Sequence, residues 1–195
     1  MILARASYGQ RFTFGAEGGL AVAGGTAKEV GITVKGRPGI GFDLGAMADY
    51  ALPDKRFSVM ANLTFQYQTA SDNDNGQIGH IDILALTLPV DIVYHTQGPW
   101  VFGLGPYAAR GLHGHFSGPG QDNDFSFSFG KTAPDYALAM DYGLDLVGGY
   151  HLQPNMLLTA KFDLGIRDVS NDRSYEHFHT RNFALNFVYL LPGKK

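Results

Sequence analysis

Apolar and polar residues alternate with a period of two along most of this 195-residue chain. The clearest segment runs from Phe57 to Gln68. Its apolar and aromatic residues occupy one set of alternate positions: Phe57, Val59, Ala61, Leu63, Phe65 and Tyr67. A β-strand places alternate residues on opposite faces, whereas a helix would scatter these residues around its circumference. The segment therefore predicts a strand with one apolar and one mainly polar face.

Seven further segments show the same alternation, so the chain predicts eight strands and no helix. Their apolar faces span Phe12–Val22, Ile40–Tyr50, Leu84–Tyr94, Trp100–Leu104, Leu138–Leu146, Leu158–Ile166 and Phe183–Tyr189. Glycines, amides and carboxylates occupy the opposite faces. A chain of strands without helices is expected to fold as an all-β protein.

The connections between the predicted strands alternate between short and long. Three are tight turns rich in Pro, Gly, Asp and Asn, at residues 52–55, 97–99 and 153–155. The long connections are residues 24–37, 69–80, 114–135 and 170–180. In an up-and-down meander the short turns all lie at one rim, as in outer-membrane barrels. We therefore predict an eight-stranded antiparallel up-and-down transmembrane β-barrel, with short periplasmic turns, long extracellular loops and periplasmic termini.

Side-chain size distinguishes a membrane barrel from a soluble, lipocalin-like ligand-binding barrel, which shows the same alternation. The lumen of an eight-stranded barrel only just accommodates side chains, so the whole Phe, Leu, Tyr and Trp series would overfill it. We expect this series to face lipid, with aromatic residues near the strand ends forming interfacial girdles. The soluble barrel is the alternative.

Composition agrees with a barrel that has one lipid-facing and one polar face. The chain has 26 glycines, 14 Phe, 10 Tyr and only 17% charged residues, and its mean hydropathy is −0.08. The sequence has no run of about 18 apolar residues, so it predicts no transmembrane helix. The absence of cysteine excludes a disulfide scaffold, and a net charge of −3 with no phosphate-binding loop argues against nucleic acid.

Two predicted hairpins carry recognisable segments. Leu-Thr-Leu-Pro-Val-Asp-Ile-Val-Tyr at 86–94 is followed by a turn and Val-Phe-Gly-Leu-Gly-Pro-Tyr at 101–107, and a second hairpin spans 141–150 and 158–166. They resemble the PorT-like outer-membrane β-barrel family, which is common in Bacteroidota. The matched motifs are structural glycines, prolines and aromatics, so the resemblance implies a fold and an outer-membrane location, and no particular reaction or cofactor.

The predicted boundaries follow from this fold. We expect a single domain over residues 1–195, with a periplasmic tail at 1–10 and a C-terminal tail at 192–195. An outer-membrane protein needs an export signal, and Met1–Leu3 is too short for the apolar core of one. We therefore expect the signal to have been removed.

The polar strand faces would place a set of charged residues inside the barrel. This set comprises Glu17, Asp43, Asp91, Asp141, Asp145, Lys161, Asp163 and Arg167. We interpret it as a hydrogen-bonded network that plugs the interior, with Lys161 and Arg167 neutralising some of the carboxylates. The alternative is a proton or cation path, or a general acid and base pair. Eight strands leave no wide aqueous pore in either case.

Histidines at the loop rim suggest a metal site. His113 and His115 form one pair, and His177 and His179 form another beside Glu176. The i, i+2 spacing puts both imidazoles of a pair on one side of an extended strand, where they could chelate Zn²⁺ or Cu²⁺. Two pairs in different loops must be brought together by the fold, so solvated strand-end histidines are the alternative.

Two further hypotheses concern the long loops. Phe125, Phe127 and Phe129 lie on one face of a strand-like segment, which is either a simple hairpin or an aromatic ridge that binds a protein or glycan. An enzyme that modifies lipid A or a surface glycan would need Ser or His with a carboxylate at the rim. The candidates are Ser117, His115, Ser174, His177 and Asp135.

No spacing among these rim residues selects a nucleophile with its base. We therefore predict a non-enzymatic structural or protein-interaction component of the cell envelope, without a cofactor. Its expected surroundings are outer-membrane lipid, and its expected partner is an envelope protein bound through the long loops.

Overall fold

The computed structural model describes residues 12–29, 32–35, 39–54, 56–74, 77–117, 124–127, 140–167 and 177–192. Within these ranges the chain forms ten strands: β1 (Phe12–Glu29), β2 (Ile32–Lys35), β3 (Gly39–Ala51), β4 (Phe57–Asp74), β5 (Gln77–His95), β6 (Trp100–Ser117), β7 (Asp124–Phe127), β8 (Met140–Gln153), β9 (Met156–Gly165) and β10 (His177–Leu190). The described part of the chain contains no helix that is long and apolar enough to cross a membrane. The predicted tail at 1–10 and the predicted strand residue Leu138 lie outside the described residues.

Eight of these described strands close into a barrel. They pair antiparallel in the order β1, β3, β4, β5, β6, β8, β9 and β10, and β10 pairs with β1 from Gly15–Leu190 to Lys28–His177. Closure satisfies the backbone hydrogen bonds between strands, which a sheet surrounded by lipid requires. The predicted eight-stranded antiparallel up-and-down barrel is confirmed.

The short connections all lie at one end, called here the short-turn rim. Residues 52–56 join β3 to β4, residues 96–99 join β5 to β6, and residues 154–155 join β8 to β9. The start of β1 and the end of β10 lie at the same rim, since Phe12 pairs with Tyr50 and Leu190 pairs with Gly15.

In the turn between β3 and β4, a hydrogen bond from the backbone N–H of Arg56 to Asp54 lowers the pKa of that exposed carboxyl.

At the opposite end, the long-connection rim, strand pairing continues into segments that the sequence predicts to be loops. β1 continues to Glu29 and pairs there with β2, β4 and β5 pair as far as Asp74 and Gln77, and β6 pairs with β7 through Gly114–Ser117. The loop predictions at 24–37, 69–80 and 114–135 are therefore corrected to segments that contain hairpin strands. Alternating apolar residues do not mark these extensions, because pairing beyond the lipid does not require an apolar face.

The two faces of the barrel differ sharply in polarity. Outward positions carry large apolar side chains, such as Leu44 at 64% exposure and Ile92 at 62%. Inward positions carry buried polar groups, such as Glu17 at 2% and Asp145 at 0%. A monomer with this much exposed apolar surface requires an apolar surrounding.

Aromatic pairs mark both ends of the apolar band. Ring centroids are 4.7 Å apart in Phe12–Tyr50, 5.3 Å in Phe57–Tyr94 and 4.8 Å in Trp100–Tyr150 at the short-turn rim, and 5.2 Å in Phe42–Tyr67 at the other end. Along β4, Phe57 and Tyr67 are separated by about 33 Å at about 3.3 Å per residue. A tilt of about 40° reduces this to about 25 Å, the height of the apolar band in outer-membrane barrels.

The narrow lumen depends on glycines at inward positions. A Cβ atom at Gly105 would collide with the carbonyl oxygen of Val90 and lie 2.7 Å from the Cα of Asp91. At Gly148, on the outward face of β8, the nearest atom to a Cβ would be Cδ1 of Phe102 at 3.9 Å. Gly105 therefore allows neighbouring inward residues to approach one another, whereas Gly148 has room for a methyl group.

Candidate functional site

A buried ion pair crosses the interior between β9 and β1. Nζ of Lys161 lies 2.7 Å from Oε2 and 3.0 Å from Oε1 of Glu17, and the exposed fractions of the two side chains are 7% and 0%. Oγ1 of Thr64, on β4, donates to Oε1 of Glu17 at 2.6 Å, and Asn62 lies beside both charged groups. A buried pair is stable only when such additional hydrogen bonds satisfy the charged atoms.

Three further carboxylates lie beside this pair. Asp145 on β8 lies between Asp91 on β5 and Asp163 on β9, and Asp145 and Asp163 are register partners. Gly105 on β6 occupies the position between Asp91 and Asp145 across the sheet. Because Gly105 has no side chain, it places nothing between these two carboxylates.

Amide groups hold the network on its β10 side. Nδ2 of Asn182 donates to Oδ2 of Asp163 at 3.1 Å, and Nε2 of Gln68 donates to Oδ1 of Asn182 at 3.5 Å. Asp43, Lys161, Asp163 and Asn182 help to line a cavity of about 10 Å³. That is about the space that one water molecule occupies on this measure.

A second polar cluster lies closer to the long-connection rim. The hydroxyl of Tyr107 donates to Oδ2 of Asp141 at 2.9 Å, and Oγ1 of Thr180 donates to the same oxygen at 2.5 Å. The phenol ring is 4% exposed. These contacts join β6, β8 and β10 across the lumen.

An apolar layer occupies the interior near the short-turn rim. It consists of Met47, Met60, Val93, Val101, Val147, Leu157 and Val188, with Leu190 packed against it. Sequence reasoning assigned the apolar series to the lipid face and missed this layer. A signal was present, since Val93, Val147 and Val188 each lie two residues after an inward polar residue: Asp91, Asp145 and Asn186.

The structure brings together most of the predicted interior set, and it places Arg167 elsewhere. The buried or half-buried inward members are Glu17, Asp43, Asp91, Asp141, Asp145, Lys161 and Asp163.

Arg167 lies on the outer face of the barrel. Its Nη1 donates to the carbonyl of Met140 at 2.9 Å, and its Cζ lies 5.4 Å from the ring centroid of Tyr142. β9 ends at Gly165, and the backbone N–H groups of Ile166 and Arg167 both donate to Tyr142. Strand alternation therefore does not extend to Arg167.

The histidine pairs lie on separate strands. His113 and His115 are on β6 and His179 is on β10, and β8 and β9 lie between these strands. A bulge at Leu112 shifts the register, so that His113 pairs with Leu84 and the following residues change faces. Among the described residues no group of three or more His, Cys, Asp or Glu side chains could hold a metal ion.

His115 and His179 both contact a neighbouring segment. Nδ1 of His115 lies 3.3 Å from Oγ of Ser126 on β7, and Nδ1 of His179 lies 3.2 Å from the carbonyl oxygen of Arg167. The side chains of His177, Phe125 and Phe127 lie outside the described part of the chain, as do residues Phe129, Asp135, Ser174 and Glu176. The backbone of β7 pairs with β6 as a hairpin strand.

A closed barrel with an apolar outer face, a polar interior and tight turns at one rim is the architecture of bacterial outer-membrane proteins. Residues 4–171 match the family model of the outer membrane protein beta-barrel domain. The chain belongs to this family. As a member of the outer membrane protein beta-barrel family it lies in the bacterial outer membrane, which confirms the predicted location and excludes the soluble barrel. The short-turn rim is then periplasmic and the long-connection rim extracellular.

Solved structures share the fold of this outer-membrane barrel. Neisserial surface protein A is 12% identical with a TM-score of 0.60, over 90% of this chain and 96% of that one. The attachment invasion locus protein Ail of Yersinia pestis, in complex with the heparin analogue sucrose octasulfate, is 13% identical with a TM-score of 0.54, over 93% and 100%. No curated protein sequence matches the chain.

Proposed function

We propose that this protein is a non-enzymatic outer-membrane barrel with a plugged interior, which acts as a structural or protein-interaction component of the cell envelope through its extracellular hairpins. The observation that carries the proposal is the contrast between the interior of the barrel and its extracellular rim. The interior is filled at successive levels, whereas the strands continue past the barrel at the extracellular rim.

The filled interior opposes the passage of solutes. An ion entering from the periplasm first meets the apolar layer around Val93 and Val147, and dehydration at such a constriction is costly. Beyond it, Lys161 on β9 pairs with Glu17 on β1, and Thr64 on β4 donates to the same carboxylate, so the contacts extend across the lumen from β9 to β4. Diffusion through the barrel would require both layers to rearrange.

The extracellular extensions supply a surface for another protein. β4, β5, β6 and β7 pair consecutively beyond the apolar band. Within the described residues β7 pairs only with β6, and we propose its other edge as the surface that a partner would use. An exposed edge is a template for adding a strand from a partner chain.

Shortening one extension tests the interaction role. Thr69 and Asp82 are register partners, so replacing residues 70–81 with Asn-Gly closes the hairpin by a two-residue turn without changing the barrel register. We expect the variant to fold and reach the membrane but to lose the envelope protein that crosslinks to the wild-type chain in native membranes. Crosslinking, purification and mass spectrometry measure this loss.

Two controls accompany that experiment. Arg56→Gln changes only the periplasmic turn and should retain the crosslinked partner. In planar lipid bilayers, the wild-type chain should show no open-channel current steps because its lumen is filled. An unchanged set of partners after shortening would contradict the interaction role, and reproducible current steps would contradict the plug.

We also infer that this member of the family belongs to its PorT-like branch from Bacteroidota. The support is the pair of hairpin segments at 86–107 and 141–166. In the structure these segments form the strand pairs β5–β6 and β8–β9.

A second candidate function rests on the contact between Ser126 and His115 at the extracellular rim. The hydroxyl and imidazole are 3.3 Å apart, and Asp82 is the register partner of His115 on β5. A hydroxyl beside an imidazole, with a carboxylate on the neighbouring strand, provides the groups needed for nucleophilic attack on an ester. This geometry favours an enzyme that acts on a lipid or surface glycan.

Replacing His115 with alanine separates this candidate from a non-enzymatic scaffold. If the protein modifies lipid A, the mass spectrum of lipid A should change when the wild-type chain is expressed, and His115→Ala should abolish that change because no base remains beside Ser126. His113→Ala is the matched control, since His113 is an exposed neighbour on the same strand. A spectrum that wild-type expression leaves unaltered would remove the enzyme hypothesis.

A further inference from the structure

Charged side chains on the outer face of the barrel gather at its extracellular end. Among the barrel-strand residues whose side chains the structure describes, the carboxylates point inward, with one exception: Asp82 on β5. Among these described side chains, the outward strand cations are Arg110 on β6 and Arg181 on β10, both exposed. Arg167, beyond the end of β9, lies over the outer-face ring of Tyr142. The pairing of β6, β8, β9 and β10 therefore brings these three cations to one side of the described extracellular boundary.

The three arginines lie on adjacent parts of the sheet. Arg110 is the register partner of Met140, and Nη1 of Arg167 donates to the carbonyl of the same methionine at 2.9 Å. Arg181 is the register partner of Leu164, whose other partner is Leu144. The patch crosses β6, β8, β9 and β10, a width of about 14 Å at about 4.8 Å per strand, and the rows of Arg110 and Arg181 are offset along β8 from Met140 to Leu144.

We propose that Arg110, Arg167 and Arg181 form a binding site for the phosphate groups of an outer-leaflet lipid. Guanidinium groups bind phosphate through paired charge-assisted hydrogen bonds. Within the described residues, no carboxylate on these four strands faces outward, since Asp141 is held inside by Tyr107 and Thr180. The charge of the patch is therefore complementary to an anion.

The surface next to the patch identifies the anion as a lipid headgroup. Directly toward the membrane centre lie Leu144, Phe183 and Leu185, with exposed fractions of 42%, 48% and 48%. Acyl chains cover this surface in the membrane, so the phosphates of the same lipid molecules lie at the level of the arginines. A free phosphate ion would use the arginines without the apolar surface.

Native mass spectrometry of the refolded full chain in a neutral detergent tests the site with bisphosphorylated lipid A as the probe. We expect Arg110→Gln to weaken binding about fivefold and the Arg110→Gln/Arg181→Gln variant about thirtyfold, because each basic residue near an anionic lipid contributes about that factor. Arg56→Gln, in the periplasmic turn, should bind like the wild-type chain. Heat-dependent migration on gels checks that each variant is folded.

Three comparisons complete the experiment. Lipid A without its phosphates should bind much more weakly, and inorganic phosphate should not displace the bisphosphorylated lipid at equal concentration. Higher salt should weaken wild-type binding through screening, which tests the charge dependence without any substitution. Equal binding by the double variant, or by the dephosphorylated lipid, would overturn the proposal, and displacement by inorganic phosphate would show a free-anion site instead.

Discussion

Replacing Lys161 with methionine is expected to lower the free energy of unfolding by about 3–5 kcal/mol, the usual cost of removing one partner from a buried ion pair. Methionine keeps the length of the side chain but leaves Glu17 as a buried carboxylate without its cation. Asp163 and Asp43 also lie near Lys161, so the substitution increases the repulsion among the interior carboxylates. Denaturant titration of the barrel in detergent or lipid vesicles measures the change.

Two variants show whether the loss arises from the buried pair. Glu17→Gln combined with Lys161→Met removes both charges and should recover most of the stability, since no uncompensated member of the pair remains. Arg56→Gln breaks an exposed pair, in which Arg56 and Asp54 are 3.4 Å apart with side chains 67% and 54% exposed. That change should cost less than about 1 kcal/mol. If Lys161→Met costs no more than Arg56→Gln, the interior pair does not stabilise the barrel.

Replacing Leu63 with arginine is expected to destabilise the folded barrel by about 2–4 kcal/mol, the cost of a cation on the lipid face at the membrane midplane. Leu63 is 46% exposed on the outer face of β4, and it lies near the middle of the band between Phe57 and Tyr67. The same substitution at Tyr67 should cost only about 0–1 kcal/mol, because the side chain reaches the interface there. Unfolding titrations in lipid vesicles compare the two variants.

Leu63→Ala serves as the control, because it removes the apolar side chain without introducing a charge. The difference between Leu63→Arg and Leu63→Ala isolates the cost of placing the cation in lipid. Equal costs for arginine at positions 63 and 67 would contradict the placement of the apolar band. A maximum cost at position 63 would support a band centred midway between Phe57 and Tyr67.

The two proposals concern different surfaces of the same barrel. The hairpin beyond Thr69 and Asp82 belongs to β4 and β5, whereas the arginine patch crosses β6, β8, β9 and β10. Shortening the hairpin leaves the three arginines intact, and the arginine substitutions leave the hairpin intact. Each experiment therefore fails or succeeds without affecting the other.

Some local features could be predicted from the sequence and others could not. The faces of β4 follow directly from the alternation between Phe57 and Gln68, because a lipid-facing strand must be apolar at every second position. The bulge at Leu112 and the continuation of β4 to Asp74 leave no such mark, since hydrogen bonding to the neighbouring strand determines both. Arg167 was assigned to the interior by extending an alternation that ends with β9 at Gly165.

The sequence by itself determined the eight barrel strands, their lipid-facing sides and the membrane that surrounds them, because alternation is a local property of an extended backbone. Only the tertiary structure decided which inward residues meet. Lys161 and Glu17 are 144 positions apart and come together through the closure of β10 on β1 and the register of each strand pair. The apolar layer and the arginine patch are likewise assembled from different strands by strand pairing.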